Sequence, residues 1–205
     1  TPSPLFSAAA EPMHTTHYSV VDGSGNAVST TTTLNSGFGS GVFVADGGFF
    51  MNDEMDDFAA EPGKPNQFGL VQGEINAIQP GKRMLSAMSP TIVLDRNGKL
   101  MMVVGAAGGP TIITGVTQVI LNVIDQHMSL PDAMFAPRMH DQAWPDEITY
   151  EKGGLSQAAI DSLTAMGHKL HEVNGLTNVN AVMRGPNGNW VGVYEPRSNG
   201  GAVGY

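Results

Sequence analysis

Side chains favouring extended backbone run from Thr16 to Asp22 and again from Ala27 to Leu34, with Asp22-Gly23-Ser24-Gly25 between them. β-Branched and aromatic residues on either side of a glycine turn predict a hairpin. Asn97-Gly98 joins Thr91–Leu94 to Leu100–Val104 in the same way, and Asn187-Gly188 joins Asn180–Met183 to Trp190–Tyr194. Three tight hairpins predict antiparallel sheet. After Pro110 the apolar period becomes helical, through Ile112, Ile113, Val116, Val119, Ile120, Val123 and Ile124. Proline suits a first turn, and so broad an apolar face is predicted to lie against a sheet. A second helix is predicted from Ser156, as N-cap, through Ile160 and Leu163 to a stop at Gly167. Strands covered by helices give a layered α+β domain.

Composition narrows the partners more than the fold. The 205 residues carry a net charge of −9 with only 10 Lys and Arg, and no stretch is basic. Nucleic acid and anionic membrane surfaces are therefore not expected as partners. No apolar run approaches ~18 residues, so membrane insertion by this chain is not expected. No secretory leader is read in these residues, which an internal fragment would lack in any case, and zero cysteines remove disulfides and thiolate metal sites without deciding location. Residues 1–14 differ from the rest. Thr1-Pro2, Ser3-Pro4 and Glu11-Pro12 oppose helix and ladder alike, predicting an irregular leader.

Thr15 and Thr16 stand at the entrance of the first strand. Threonine is common there for packing alone. It becomes a nucleophile if the preceding peptide bond is cut, because the freed α-amine, of pKa near ~8, then serves as its base. Asn52-Asp53-Glu54-Met55-Asp56-Asp57 is the densest acidic run, ordinarily a solvated turn and lacking the glycine and alternation of a calcium loop. Gly108-Gly109 is a simple turn or, ahead of a helix N-terminus, a pair of amides open to an anion. Alternation puts Thr31, Thr33 and Asn35 on one strand face.

Taken in order, TTHYSVVDGSGNAVSTTTTLNSGFGSG, NDEMDDFAAEPGKPN, KRMLSAMSPTIV, GAAGGPTII and a terminal GGAVGY closely resemble the small subunit of γ-glutamyltranspeptidases. The resemblance runs from Thr15 to Tyr205. It implies the N-terminal-nucleophile fold, an αββα sandwich of two mainly antiparallel sheets flanked by helices. It also implies that 15–205 is the catalytic half of a larger domain shared with a large subunit from the same precursor. The implied activity is γ-glutamyl transfer and hydrolysis on glutathione and related amides, without cofactor or metal, through a γ-glutamyl-threonine ester. Amino acids, peptides or water would be the acceptors, and the family's habit places the protein in the periplasm or outside the cell.

The resemblance assigns residues one by one. Thr15 is the nucleophile, freed by autoproteolysis of the His14–Thr15 bond, and Thr33 hydrogen-bonds it. Gly108 and Gly109 form the oxyanion hole. Asn35 contacts the substrate, and Glu54 and Asp57 grip the α-ammonium of the γ-glutamyl group. Ser86 binds the α-carboxylate; the family often has a second serine where Ala87 stands. Glu61–Gly69 corresponds to a lid loop, with Phe68 where bacterial relatives often carry tyrosine, which predicts a looser lid and relatively more hydrolysis. His17 is read as structural, and the remaining histidines show no ligand spacing. Trp144, Trp190 and the methionines are read as core.

Fourteen residues precede Thr15, whereas an amine-activated threonine must begin its chain. Three readings are open: an uncut bond in a chain severed at Thr1, a blocked cleavage, or Thr1 as the nucleophile. The last is disfavoured because Thr1-Pro2-Ser3-Pro4 cannot form a paired strand. An intact bond would make the chain an inactive precursor. Two rivals also stand: a cephalosporin acylase or poly-γ-glutamate-processing relative on the same fold, and a permanently unprocessed, non-catalytic homologue.

Overall fold

A computed structural model of the chain describes residues 15–142, 144–198 and 200–204. The irregular leader expected over 1–14, and with it the readings of Thr1 and of His14, lies outside them.

The three hairpins form at their predicted turns. Strand β1 (Thr16–Val21) pairs antiparallel with β2 (Ala27–Thr32), placing His17 opposite Thr31 and Ser19 opposite Ser29. The second strand ends two residues short of the expected Leu34. Phe43–Val44 (β3) and Phe49–Phe50 (β4) make a small ribbon beyond it. Strands β5 (Thr91–Leu94), β6 (Leu100–Ala107), β10 (Asn178–Arg184) and β11 (Trp190–Val193) form one antiparallel sheet in the order β11-β10-β6-β5. A third sheet joins β7 (Met139–His140), β8 (Ile148–Glu151) and β9 (Leu170–Val173), with β8 and β9 parallel.

Strand β6 is central because both of its faces are covered. Met102, Val104 and Ala106 meet Val179 and Ala181 of β10 and the apolar stripe Ile112, Val116, Val119 and Val123 of helix α1 (Thr111–Ile124). Its other face receives the β1–β2 hairpin. There Gly105 leaves room for the His17 imidazole, and a Cβ on it would stand 2.2 Å from the ring. The Ser29 hydroxyl ties the layers by donating to the Val104 carbonyl at 3.1 Å.

Helix α2 (Leu130–Phe135) adds Leu130, Ala133 and Met134 to the same core. Six residues are too few to show a helical period, so its pattern was silent. Helix α3 (Gln157–Ala165) starts as predicted, with the Ser156 hydroxyl accepting the Ala159 amide at 3.2 Å. Gly167, beyond its end, adopts φ 96°. The domain is thus an α+β sandwich of two sheets, with the helical layer on the far side of the larger sheet among the described residues. The outer face of the hairpin presents Tyr18, Val20 and Val28, each about half exposed.

The expectation that the tryptophans and methionines are core holds for Met102 and Met134 and fails for several others. Trp144 is 61% exposed and Met166 73%, and Met51, Met55, Met128 and Met139 also face outward. Side-chain type alone marks a residue as suited to burial; it does not say whether this chain supplies the covering layer.

Arg138, Glu151, Glu195 and Arg197 form an ionic cluster behind α2. Arg138, 2% exposed, donates to Glu195 at 2.8 Å, to the Thr177 carbonyl at 2.6 Å and to the Met134 carbonyl at 2.7 Å. Arg197 pairs with both glutamates, and Val179 donates its amide to Glu195 at 2.8 Å. Pairing of this kind offsets the cost of burying charge, although Arg138 Nε is left without a partner. The four residues are scattered over sixty positions, which explains why no local pattern announced them.

Candidate active site

The two strand ends of the first hairpin meet where β6 runs into α1. Antiparallel pairing brings Thr15, just before β1, beside Thr33, just after β2. Their hydroxyls are 3.1 Å apart, and Thr33 also accepts the Asn35 amide at 2.9 Å. Strict alternation no longer holds past Thr32, because Asn35 takes a left-handed φ of 73°. That turn nevertheless points Asn35, only 7% exposed, into the same pocket, where its amide group reaches the Asp53 carbonyl at 3.4 Å.

Glu54–Asp57 is a single 3-10 turn. Residues three apart stack in that geometry, so Glu54 and Asp57 share a face and turn it into the pocket. Asp53 anchors this turn to the hairpin. Its carboxylate accepts the Ser36 amide at 2.9 Å and the Ser36 hydroxyl at 2.6 Å, while its own amide donates to the Leu34 carbonyl at 3.1 Å. Asn76 supports it from behind, donating to the Asp57 carbonyl at 2.7 Å and accepting the Leu85 amide at 3.2 Å. Neither supporting role had a sequence signal beyond membership of a polar run.

Burial, then the hydrogen bond and charge of Asp57, raise Glu54 from the usual 4.5 to about 7. Asp57 is raised as well, mainly by burial, although its bond to Glu54 pulls the other way. Both shifts favour uptake of a proton by the pair below about pH 7. Glu54 Oε1 is buried without a hydrogen-bond partner. A carboxyl pair short of cation and donor has the chemistry to accept an ammonium group.

The pocket is lined by Thr15, Thr33, Asn35, Glu54, Asp57, Ser86 and Gly109, together with Phe68, Leu70, Gln72, Leu85, Ala87, Met88, Pro110 and Ile112. Seven of the eight predicted site residues thus converge. Gly108 stands just behind the lining. Its carbonyl accepts the Thr111 hydroxyl at 2.8 Å, while the Gly109 carbonyl accepts the Ile112 amide at 3.2 Å. The loop bonds of both glycines use their carbonyls, leaving amides at the head of α1 for an anion. Ser86 is exposed, and its hydroxyl accepts the Met88 amide at 3.1 Å.

Phe68 sits at the pocket rim on a turn held by Asn66, whose side chain accepts the Phe68 and Leu70 amides, each at 3.0 Å. The Gln67 amide donates to Asp56 at 3.2 Å, tying this turn to the acidic one. His17 points away from the pocket, between the sheets. It bonds Thr31 at 2.8 Å and Ser19 at 3.0 Å, and burial lowers its pKa to about 4, so the ring is neutral. Among the described residues no three His, Cys, Asp or Glu side chains gather to hold a metal ion. No helix among them is long and apolar enough to cross a membrane.

A nucleophilic hydroxyl, backbone donors and an acidic pair on one pocket are the parts needed to bind an amino-bearing acyl compound and transfer its acyl group. Comparison with known proteins agrees. The family profile described as Gamma-glutamyltranspeptidase matches residues 2–205. A glutathione hydrolase proenzyme of Escherichia coli is 46% identical over 93% of this chain, and one of Pseudomonas aeruginosa 52% identical over 79%. The chain spans about a third of the length of these curated relatives, 33% and 29%. A crystal structure of a mutant Helicobacter pylori gamma-glutamyltranspeptidase superposes with a TM-score of 0.84 at 48% identity, covering 89% of this chain and 100% of that one.

Proposed function

The chain belongs to the gamma-glutamyltranspeptidase family, and from that premise we propose that it is the catalytic half of an enzyme that hydrolyses and transfers γ-glutamyl groups. The observation that carries the proposal is the Thr15 hydroxyl, bonded to Thr33, on the same pocket as the Glu54 and Asp57 carboxyl groups.

Maturation comes first. The Thr15 hydroxyl attacks the His14 carbonyl, the carbon–nitrogen bond breaks, and water hydrolyses the resulting ester. Residues 1–14 then end in a carboxylate, and Thr15 carries a free amine. In turnover that amine takes the hydroxyl proton as Thr15 attacks the γ-carbonyl of the donor. The amides of Gly108 and Gly109 receive the developing oxyanion, an arrangement worth several kcal/mol in acyl transfer. Collapse expels the leaving amine, which takes the proton back from the Thr15 ammonium. Water or an acceptor amine then opens the ester.

Binding follows from charge. The donor α-ammonium replaces the proton held by Glu54 and Asp57, gaining charge-assisted bonds. Ser86 is assigned to the α-carboxylate and Asn35 to the γ-glutamyl backbone. Thr33 holds the nucleophilic hydroxyl in line. The partner is a large subunit from the same precursor, and the setting is the periplasm or the extracellular space; both follow from the family resemblance.

The acidic pair favours this reading over a glutaryl-β-lactam acylase, because a glutaryl group has no ammonium to answer two carboxylates. Comparing γ-glutamyl-p-nitroanilide with glutaryl-p-nitroanilide tests it. Turnover of the former, lost in Thr15→Ala, is expected; preference for the glutaryl compound would overturn it. A full precursor that never separates at Thr15 would be the non-catalytic homologue instead.

A further inference from the structure

We infer that Thr177 and Thr111 act as positioning residues that aim the Gly109 amide into the pocket, an inference resting on the reading of these glycines as oxyanion donors. Two hydroxyls and a carbonyl form a linked chain. The Thr177 hydroxyl has the Thr111 hydroxyl at 2.7 Å and the Thr111 carbonyl at 3.0 Å as acceptors, and the Thr111 hydroxyl donates to the Gly108 carbonyl at 2.8 Å. The Thr111 amide reaches the same carbonyl at 3.2 Å.

The carbonyl of Gly108 and the amide of Gly109 belong to one planar trans peptide, so they point in opposite directions. A carbonyl held inward toward Thr111 therefore turns the next N–H outward, on the side where Gly109 lines the pocket with Thr15. Without the relay the Gly108 carbonyl keeps only the longer bond from the Thr111 amide, and glycine on both sides of the peptide adds little steric resistance to rotation.

Thr177 is unusually well fixed for this task. It adopts φ 59°, a left-handed conformation that threonine rarely takes, and is 8% exposed. Strain of that kind persists where surrounding bonds over-determine it. Here the buried Arg138 guanidinium, itself paired with Glu195, holds the Thr177 carbonyl at 2.6 Å. Close approach is possible because Gly115 of α1 has no side chain: a Cβ there would stand 2.6 Å from the Thr177 methyl. A Cβ on Gly108 would meet the Thr111 hydroxyl at 2.7 Å. The ionic cluster thus reaches the reaction centre through two threonines.

The test uses the complete, matured protein. Thr177→Val removes the hydroxyl and keeps the branched shape, whereas Thr177→Ser keeps the hydroxyl. The valine variant is expected to lose about tenfold or more in kcat on γ-glutamyl-p-nitroanilide, on the order of a weakened oxyanion donor. Donor KM and affinity for L-glutamate should stay near wild type, and serine should recover most of the loss. Affinity for a glutamate analogue bearing a boronic acid at the γ position, which forms a tetrahedral adduct, should fall in step with kcat. If Thr177→Val does not fold, Thr111→Val and Thr111→Ser make the same comparison from the other end of the relay. A folded valine variant with wild-type kcat, a parallel loss of L-glutamate affinity, or no recovery by serine would overturn the inference. Undiminished turnover in Thr15→Ala would instead sink the functional reading beneath it.

Discussion

Replacing Glu54 by glutamine isolates the acidic pair. In the free protein the Glu54 carboxyl is raised from 4.5 to about 7, chiefly by burial and then by Asp57. A shift of that size corresponds to ~3 kcal/mol in a fully desolvated site. Glu54 is only partly buried, so solvent screening reduces this to ~1 kcal/mol. The sign follows from the raised value. Stability contributed by the protonated pair is fully present below the unfolded pKa near 4.5 and is lost as pH rises through about 7. Glutamine keeps the shape and cannot ionise. The wild-type protein should therefore lose stability relative to Glu54→Gln between pH ~5 and ~8, by ~2–4 °C in Tm for a domain of this size. Binding shows the opposite trend. Affinity of the wild type for L-glutamate, read by calorimetry, should strengthen as pH rises through about 7, because the ammonium no longer competes with a proton. In Glu54→Gln affinity should fall ~10-fold or more and lose that slope. Melting curves that run parallel over the whole range, with ligand affinity equally flat in both proteins, would refute the acidic-pair reasoning.

Gly105→Ala should destabilise by ~1–3 kcal/mol, since its Cβ would stand 2.2 Å from the His17 ring and the two sheets would have to part. Thermal unfolding checks this, with Gly23→Ala, which meets nothing within 4 Å, as the control. Phe68→Tyr should shift the balance from hydrolysis toward transfer, because a hydroxyl at the pocket rim gives the 61–69 loop a further bond to close on. Product ratios with and without an acceptor dipeptide measure it, and an unchanged ratio counts against a gating role for Phe68.

Local chemistry wrote the hairpins plainly into the chain. Asp22–Gly25, Asn97-Gly98 and Asn187-Gly188 each sit where backbone must reverse, and Pro110 with its apolar stripe marked α1. Glycine, proline and period need no tertiary context to be read. What stayed hidden depends on distant partners. Thr177 gains its meaning only when β10 is laid beside β6 and α1, and Arg138 only when Glu195, 57 positions later, turns inward. Trp144 misleads for the converse reason, its apolar ring implying a cover that the described residues do not provide. The site itself was legible as scattered motifs whose convergence required the resemblance to a family. Their chemistry can be argued separately from the geometry: paired carboxylates three apart on a 3-10 turn, and hydroxyls meeting at adjacent strand ends.

The central claim is that one residue supplies both attacking oxygen and base. Active protein quenched in acid during turnover of γ-glutamyl-p-nitroanilide, then digested and mapped by mass spectrometry, addresses it directly. The account predicts a γ-glutamyl ester on the Thr15 hydroxyl of a peptide that begins at Thr15 with a free amine. An acyl group on any other residue, or active chains still joined through His14, would contradict it.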